Sequence, residues 1–421
     1  LLLYPDYLRV SLGSVDISAC RIIITILLLR CVADPAIMRR FHWKPLDTLV
    51  LLSMAVFSFA LMFTTDMVDV LENRAGFVMD TIFVYLAARL IVVDRESFVT
   101  MAKALSIITV FLTVHAVVET FTGKSLYAGL GQYCPWAHTK GMEYQTRYGL
   151  NRAMGPPGET ILFGLSFASL VPMIWMLRHE RPPWGRWAYL LTVIGICGVA
   201  ATVSSGPYLA LIVVLGCLSL EYAKSLVKPL IVLFIIGCAA IEIISNRHFY
   251  HVLADFTMDP VSGWYRARLI DVAIMKLPNY WLTGYGFVDP GWGPLINALP
   301  RTDAVNDYVV HAMTYGLFGL IAYVAVLSRS IYDVARCYSA TNSPWMKSCC
   351  WALASSLIGL LFALWSVSMF GQMTSQLYLI IGLHGALAVR GTARVPVAQP
   401  RAATRAMSPV MPHPRSAILQ R

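Results

Sequence analysis

Eleven runs of apolar residues, each close to the length of a membrane span, follow one another along the chain with polar connections between them. They fall near residues 17–33, 46–64, 75–93, 98–118, 159–177, 187–203, 207–222, 227–245, 305–328, 348–369 and 372–389. A helix needs about 20 apolar residues to cross hydrocarbon about 30 Å thick, so each run is predicted to be one membrane helix. Proline and glycine lie mostly between the runs, where helices end. One segment reads differently. Between Tyr265 and Leu277 the apolar positions are 269, 270, 273, 274 and 277. That spacing predicts an amphipathic helix lying along the membrane and lidding a cavity. The predicted fold is all-α and polytopic: one transmembrane domain over residues 1–390, with long loops at 119–158 and 246–304, then a disordered basic tail at 391–421. The chain opens on Leu1-Leu2-Leu3-Tyr4-Pro5. This reads as the end of a further helix, which would bring the intact chain to twelve.

Charge divides the connections into two sets. Arg30, Arg39, Arg40 and Lys44 follow the first run, Arg95 the third, and Arg178, Arg181 and Arg186 the fifth. Lys224 and Lys228 follow the seventh, and Arg329, Arg336 and Lys347 the ninth; the tail carries six arginines from Arg390 to Arg421 and no acid. The positive-inside bias makes this set cytoplasmic and places both long loops outside, with the turn Ser204-Ser205-Gly206-Pro207. The net charge of +10 therefore reflects topology and contact with anionic membrane lipid, and no nucleic-acid partner is expected. Hydrophobic residues make up 57% of the chain and charged ones 13%, about half the share of a soluble domain. Cys134 alone of the nine cysteines sits in a long loop, and no CxxC pair occurs, so neither disulfides nor a metal or other cofactor is expected.

Cations persist in the outer loops against that bias: Lys124, Lys140, Arg147, Arg152, Arg247, Arg266, Arg268, Lys276 and Arg301. The insert 247–304 is also rich in Trp, Tyr and Pro. Such a surface suits a sugar or a phosphate, although solvated loop charge is the plain alternative for any single residue. Arg152 and Arg266 each stand at a loop-to-helix boundary. There a guanidinium holds a phosphate with two parallel hydrogen bonds while its stem packs on apolar surface.

Several stretches, in order, resemble the superfamily of bacterial inner-membrane O-antigen ligases and O-antigen or exopolysaccharide polymerases. They are Pro5-Asp6-Tyr7-Leu8 with Leu12-Gly13 and Arg21; Glu119-Thr120-Phe121-Thr122-Gly123-Lys124-Ser125-Leu126; and Arg152-Ala153-Met154-Gly155-Pro156-Pro157-Gly158. Ser204-Ser205-Gly206-Pro207, then Arg266 with Pro278 and Gly284-Tyr285-Gly286-Phe287, and finally Asn306-Asp307-Tyr308 with Gly316 and Gly319 complete the set. Ligases of this group carry a His where this chain has Val305, and an Arg at the turn Ser204-Ser205-Gly206. Polymerase-like members vary at both places, so the resemblance favours a polymerase over a ligase. It implies a glycosyltransferase of the inner membrane, working on the outer face. The donor would be an oligosaccharide on polyprenyl diphosphate, the acceptor a second glycan, and a chain-length regulator a further partner.

In such a reaction charge develops on the departing diphosphate, and fixed cations lower the barrier. By motif position Arg266 and Arg152 are the diphosphate ligands; Arg268, about 200° further round a helix, and Arg301 are secondary substrate-binding candidates. Asn306 and Tyr308 stand where an acceptor hydroxyl would meet the helix end. Asp307, Asp303 and Glu119 (one turn from His115) are alternative bases, since loss of water at a membrane boundary favours a carboxyl that takes up a proton. Helix-to-helix hydrogen bonding is the competing reading of each. Trp264, Trp281 and Trp292 are expected to stack on sugar rings or to anchor at the interface. Asp80, Arg89 and Glu242 lie within runs; Arg89 and Glu242 are close enough to the ends to snorkel. Gly316 and Gly319 are expected to permit close helix packing. His311, six residues beyond Val305, is a poor substitute for the missing His, and His384 reads as structural. A lipid-linked-oligosaccharide flippase is the alternative from another class. A transferase using a monosaccharyl-phosphate lipid is a further one, with Asp66, Asp69 and Glu72 in its acidic loop.

Overall fold

The computed structural model describes residues 2–5, 8–12, 15–127, 129, 145–255, 260–296 and 300–392. Asp6, Tyr7, Gly13, Cys134, Lys140 and the tail from 393 lie outside the described residues. Every predicted run is occupied by helix. In chain order these are α1 Ala19–Ala33, the short α2 Pro35–Met38, α3 Pro45–Leu61, α4 Met67–Val78, α5 Val84–Ile91, α6 Arg95–Thr122, α7 Thr160–Trp175, α8 Trp184–Ala201 and α9 Ser205–Leu220. They continue with α10 Val227–Ile244, α11 Phe249–Ala254, α12 Pro260–Lys276, α13 Gly293–Ile296, α14 Asp307–Ala340, α15 Pro344–Leu364 and α16 Gln372–Thr392. Among the described residues, six helical segments are long and apolar enough to cross a membrane. The chain is an all-α polytopic membrane protein. Strand is confined, among the described residues, to two antiparallel hairpins, β1 Arg9–Leu12 with β2 Val15–Ser18 and β3 Thr146–Arg147 with β4 Leu150–Asn151.

Apolarity all round a helix marks one that is enclosed, and α7 is that helix. Every residue from Leu162 to Ile174 is buried, among α8, α9 and α15. α10 is the opposite case: equally apolar, it buries no residue. α4 and α5 are joined by a five-residue π-helical segment, Met79–Phe83, that turns Asp80 toward Arg21. Arg21 donates to the Asp80 carboxylate through both Nε and Nη2, the latter at 2.6 Å.

Arg89 does not snorkel. It is 5% exposed and donates to both Asp47 oxygens, at 3.0 and 2.9 Å, and to the carbonyls of Gly385 and His42. Tyr85 caps the same carboxylate. A guanidinium enclosed between α3, α5 and α16 cannot reach solvent, so it is kept charged by a carboxylate instead. Glu242, by contrast, is partly exposed and meets His248. The two sets of connections gather at opposite ends of the bundle. Arg95 with Glu180 and Arg178 with Glu221 lie at the Asp47–Arg89 end. The described parts of the long loops and the helix ends at 122, 201, 205, 307 and 364 lie at the other, called the loop end below.

Candidate functional site

At the loop end the separate motifs meet. α6 stops at Gly123, whose φ of 66° is the left-handed cap. Just inside it, Glu119 is wholly buried and accepts the backbone N–H of Gly155 at 3.1 Å, with His115 Nε2 at 3.4 Å. Thr120 donates to the Ala201 carbonyl at 2.7 Å, and Asn151 to the Thr120 carbonyl at 3.2 Å. Arg152 therefore emerges between α6 and the turn before α9. It is 8% exposed, and it donates to Gln145 and, at 2.8 Å, to Ser204 Oγ. Its Nε has no partner, and its two side-chain partners are neutral. Burial, followed by the repulsion of Arg147, pulls this guanidinium below its usual pKa, while Glu159 acts the other way.

Two residues beyond Ser204, a Cβ on Gly206 would lie 3.4 Å from Ile161 and 3.5 and 3.9 Å from Val367 and Ser366 of the 365–371 segment. This non-helical segment between α15 and α16 is the meeting point of the remaining motif residues. Arg266, on α12, donates from Nε to the Ser366 carbonyl at 2.9 Å and from Nη1 to Ser262. Asn306 caps α14 by accepting the Val309 N–H at 3.0 Å and donates to the Trp365 carbonyl at 2.8 Å. Asp307, 1% exposed, accepts the Met369 N–H at 2.7 Å and the Tyr323 hydroxyl at 2.7 Å. Tyr308 donates to the Leu361 carbonyl at 3.1 Å. Four candidates spread over 43 positions of sequence thus grip one stretch of backbone, 361–369. Asn306 and Asp307 spend these hydrogen bonds on the fold. Asp303 is exposed; its carbonyl accepts from Tyr265.

The glycine motifs form a joint rather than a helix-packing face. Gly316, with φ 72° and ψ −176°, breaks α14. The amides and carbonyls freed there pair with the loop after α12: Tyr285 N–H with the Met313 carbonyl at 2.7 Å, Gly286 N–H with Thr314, and Leu317 N–H with Trp281. Irregular backbone inside a membrane domain survives only when another part of the protein satisfies it, and this loop does so. A Cβ on Gly316 would lie 2.5 Å from the Leu282 carbonyl oxygen, and one on Gly284 2.4 Å from that of Thr314. Gly316 therefore admits loop backbone, which corrects the expectation of close helix packing.

Other expectations fall away from the site. Arg268 turns to Asp271, 3.8 Å away, which also takes Tyr250 and His251. Arg301 is exposed. Trp264 is 53% exposed, whereas Trp292 is buried against Tyr280 and Tyr285 and cannot meet a sugar. Trp281 packs near Phe318. His311 stacks on Tyr323 at 3.8 Å, its Nδ1 being 2.8 Å from the Asp307 carbonyl. The amphipathic helix exists as α12, with Leu269, Ile270 and Ala273 buried but Ile274 exposed. With α14 and Trp365 it encloses a cleft of about 210 Å³ lined by Asn306, Tyr308 and Leu320 among others. Arg74, Tyr315 and the 365–369 segment carry no signal in the sequence. Arg74 stands in the polar stretch before an apolar run, and backbone acceptors leave no mark in a sequence.

No protein-family model matches this chain, and no curated protein matches it either. Among solved structures, one described as "Structural coordination of polymerization and crosslinking by a peptidoglycan synthase complex" aligns over 84% of this chain and 100% of its own, with 14% identity and a TM-score of 0.42. A likeness of that size carries no argument about activity.

Proposed function

We propose that the protein is an integral-membrane glycosyltransferase that joins glycan repeat units carried on polyprenyl diphosphate, with its site at the loop end facing the outside of the bacterial inner membrane. The observation that carries this reading is the convergence of the two arginines. Arg152 holds Ser204 just before α9, and Arg266 holds the carbonyl of Ser366, whose side chain lies 3.9 Å from where a Cβ on Gly206 of α9 would stand. Arg266 bonds the residue that follows Trp365, which lines the apolar cleft under α12, and the buried Arg152 stands at the same loop end on Ser204. An acceptor hydroxyl attacks the anomeric carbon there. The bond to the diphosphate oxygen breaks, the diphosphate leaves with the electron pair, and the arginines take up the charge. Of the three candidate carboxylates, Asp303 is the exposed one, whereas Glu119 and Asp307 are held inside the fold; the hydroxyl proton is assigned to Asp303.

Arg266→Ala and Arg152→Ala should abolish chain extension in a polymerase-deficient host while the protein still inserts. Lys should restore only part of it, because an ammonium lacks the planar fork. Gel analysis of glycan length decides the matter. Wild-type chains from Arg266→Ala would remove that residue from the mechanism. Glycan on lipid A core would indicate a ligase instead, and relocation without a new bond a flippase.

Orientation is tested separately. In a cysteine-free background, a cysteine at the exposed Gly291 should react with an impermeant maleimide in intact spheroplasts, and one at Ala403 should not. The reverse pattern would place the loop end in the cytoplasm and sink the proposed donor.

A further inference from the structure

Asp307 and Tyr323 stand sixteen residues apart in α14, about 24 Å along a straight helix. Yet the Tyr323 hydroxyl donates to the Asp307 carboxylate at 2.7 Å, and its ring lies flat on that of His311 at 3.8 Å. The chain therefore folds back at Gly316, and α14 is a hairpin with a short arm, 307–315, and a long one, 317–340. On the short arm Asp307, His311 and Tyr315 recur every four residues and share one face.

Two buried charges meet that face, one at each end. Asp307 is 1% exposed, and among the described residues no lysine or arginine pairs with it; His311 Nδ1 is 3.5 Å from its Oδ2. At the other end stands Arg74 of α4, which has no carboxylate. Its Nη2 donates to Asn73 Oδ1 at 2.6 Å and to the Tyr315 hydroxyl at 3.0 Å, while Nε and Nη1 are buried without a hydrogen-bond partner. Tyr378 of α16 stands between the two: its buried hydroxyl is within electrostatic reach of Asp307, Tyr315 and Arg74 together. An arginine keeps its proton, and a charge buried alone is costly. Opposite charges in one enclosure offset that cost beyond salt-bridge range. Eight residues of helix, about 12 Å, separate Asp307 from Tyr315. At that distance and an effective dielectric of about 20, the attraction shifts a folding equilibrium by about tenfold.

Asp307 also accepts the Met369 N–H at 2.7 Å, in the segment whose Trp365 and Ser366 carbonyls are held by Asn306 and Arg266. We propose that Arg74 is the counter-charge of the Asp307 carboxylate, acting across the tyrosines of the hairpin, and thereby a positioning residue for the 365–369 segment. Its bearing on glycan transfer rests on the function proposed above; the charge coupling does not.

The test is a double-variant cycle in the full-length protein. Its readouts are thermal unfolding in detergent and the maleimide reactivity of Val367→Cys in a cysteine-free background. Val367 is 6% exposed, so a thiol there is shielded while the segment stays seated. Arg74→Met keeps much of the bulk and removes the charge. It should lower the melting temperature and raise the maleimide rate about tenfold, whereas Arg74→Lys should keep most of the protection. Asp307→Asn should also destabilise, but Arg74→Met with Asp307→Asn should lose less than the two singles summed. A role in packing alone would make the losses add and leave Lys no better than Met. His311 is the rival partner, and His311→Gln should couple to Asp307→Asn more weakly than Arg74→Met does. Additive losses, an unchanged thiol rate in Arg74→Met, or stronger coupling to His311 would each overturn the proposal. Should Arg74→Met fail to fold, the double variant should still fold, and its failure would overturn the proposal too. In a polymerase-deficient host Arg74→Met should shorten glycan chains and Arg74→Lys should not. Wild-type chains from Arg74→Met would confine Arg74 to the fold and end its positioning role. If the unaltered protein extends no chain, the function proposed above falls, while melting and thiol rate still decide the coupling.

Discussion

Gly316→Ala is expected to destabilise the protein by about 3 kcal/mol or more, from strain in a backbone region open in practice to glycine alone and from overlap with a neighbouring chain. The φ of 72° with ψ −176° is intolerant of any side chain. The added methyl would sit 2.5 Å from the Leu282 oxygen and 2.6 Å from its carbonyl carbon. Both are backbone atoms and cannot rotate aside. Relieving the clash would separate α14 from the loop and cost the hydrogen bonds from Tyr285, Gly286 and Leu317. Against a total stability of about 5–15 kcal/mol this is a large share. Gly237→Ala is the control, because that position in α10 has open space around it, and a helical alanine there should be neutral or slightly favourable. Thermal unfolding in detergent, followed by fluorescence-detected gel filtration, reads both. A Gly316→Ala protein that melts with the wild type would show that the joint is not fixed as described.

Breaking the Asp47–Arg89 pair should be comparably severe. Asp47→Ala leaves the Arg89 guanidinium with neutral partners alone, the Gly385 and His42 carbonyls, the Tyr85 hydroxyl and the Phe41 ring. Loss of one member of a buried pair typically costs about 3–5 kcal/mol. Replacing both, as Asp47→Leu with Arg89→Met, removes the unpaired charge and should recover most of that loss. Equal melting of the single and double variants would mean that the pair matters by its shape rather than its charge.

Much of the bundle was readable along the chain because hydrocarbon permits so few solutions: an uncharged run of the right length becomes a helix. All eleven runs did so. Ends were less legible. The run at 75–93 conceals a helix that begins at Met67 and changes to π-helix at Met79, since hydropathy counts side chains and this change is in backbone pairing. Trp292 shows a similar limit for the insert: a tryptophan on a polar loop suggests exposure, but the loop has its own small core with Tyr280 and Tyr285.

For the site, Arg152, Arg266, Asn306 and Asp307 were nominated by their places in the ordered motifs that carry the resemblance. Their shared target was not legible, because it is backbone: the Trp365 and Ser366 carbonyls and the Met369 amide carry no side-chain signature. Nor does sequence tell Arg74 from Arg89. Both are arginines near the ends of apolar stretches, and only packing against α3 gives Arg89 its carboxylate while α14 offers Arg74 a tyrosine. Membrane insertion and helix number follow from local apolarity. Which buried charges are matched and which are left open depends on side chains brought together from helices far apart in the chain.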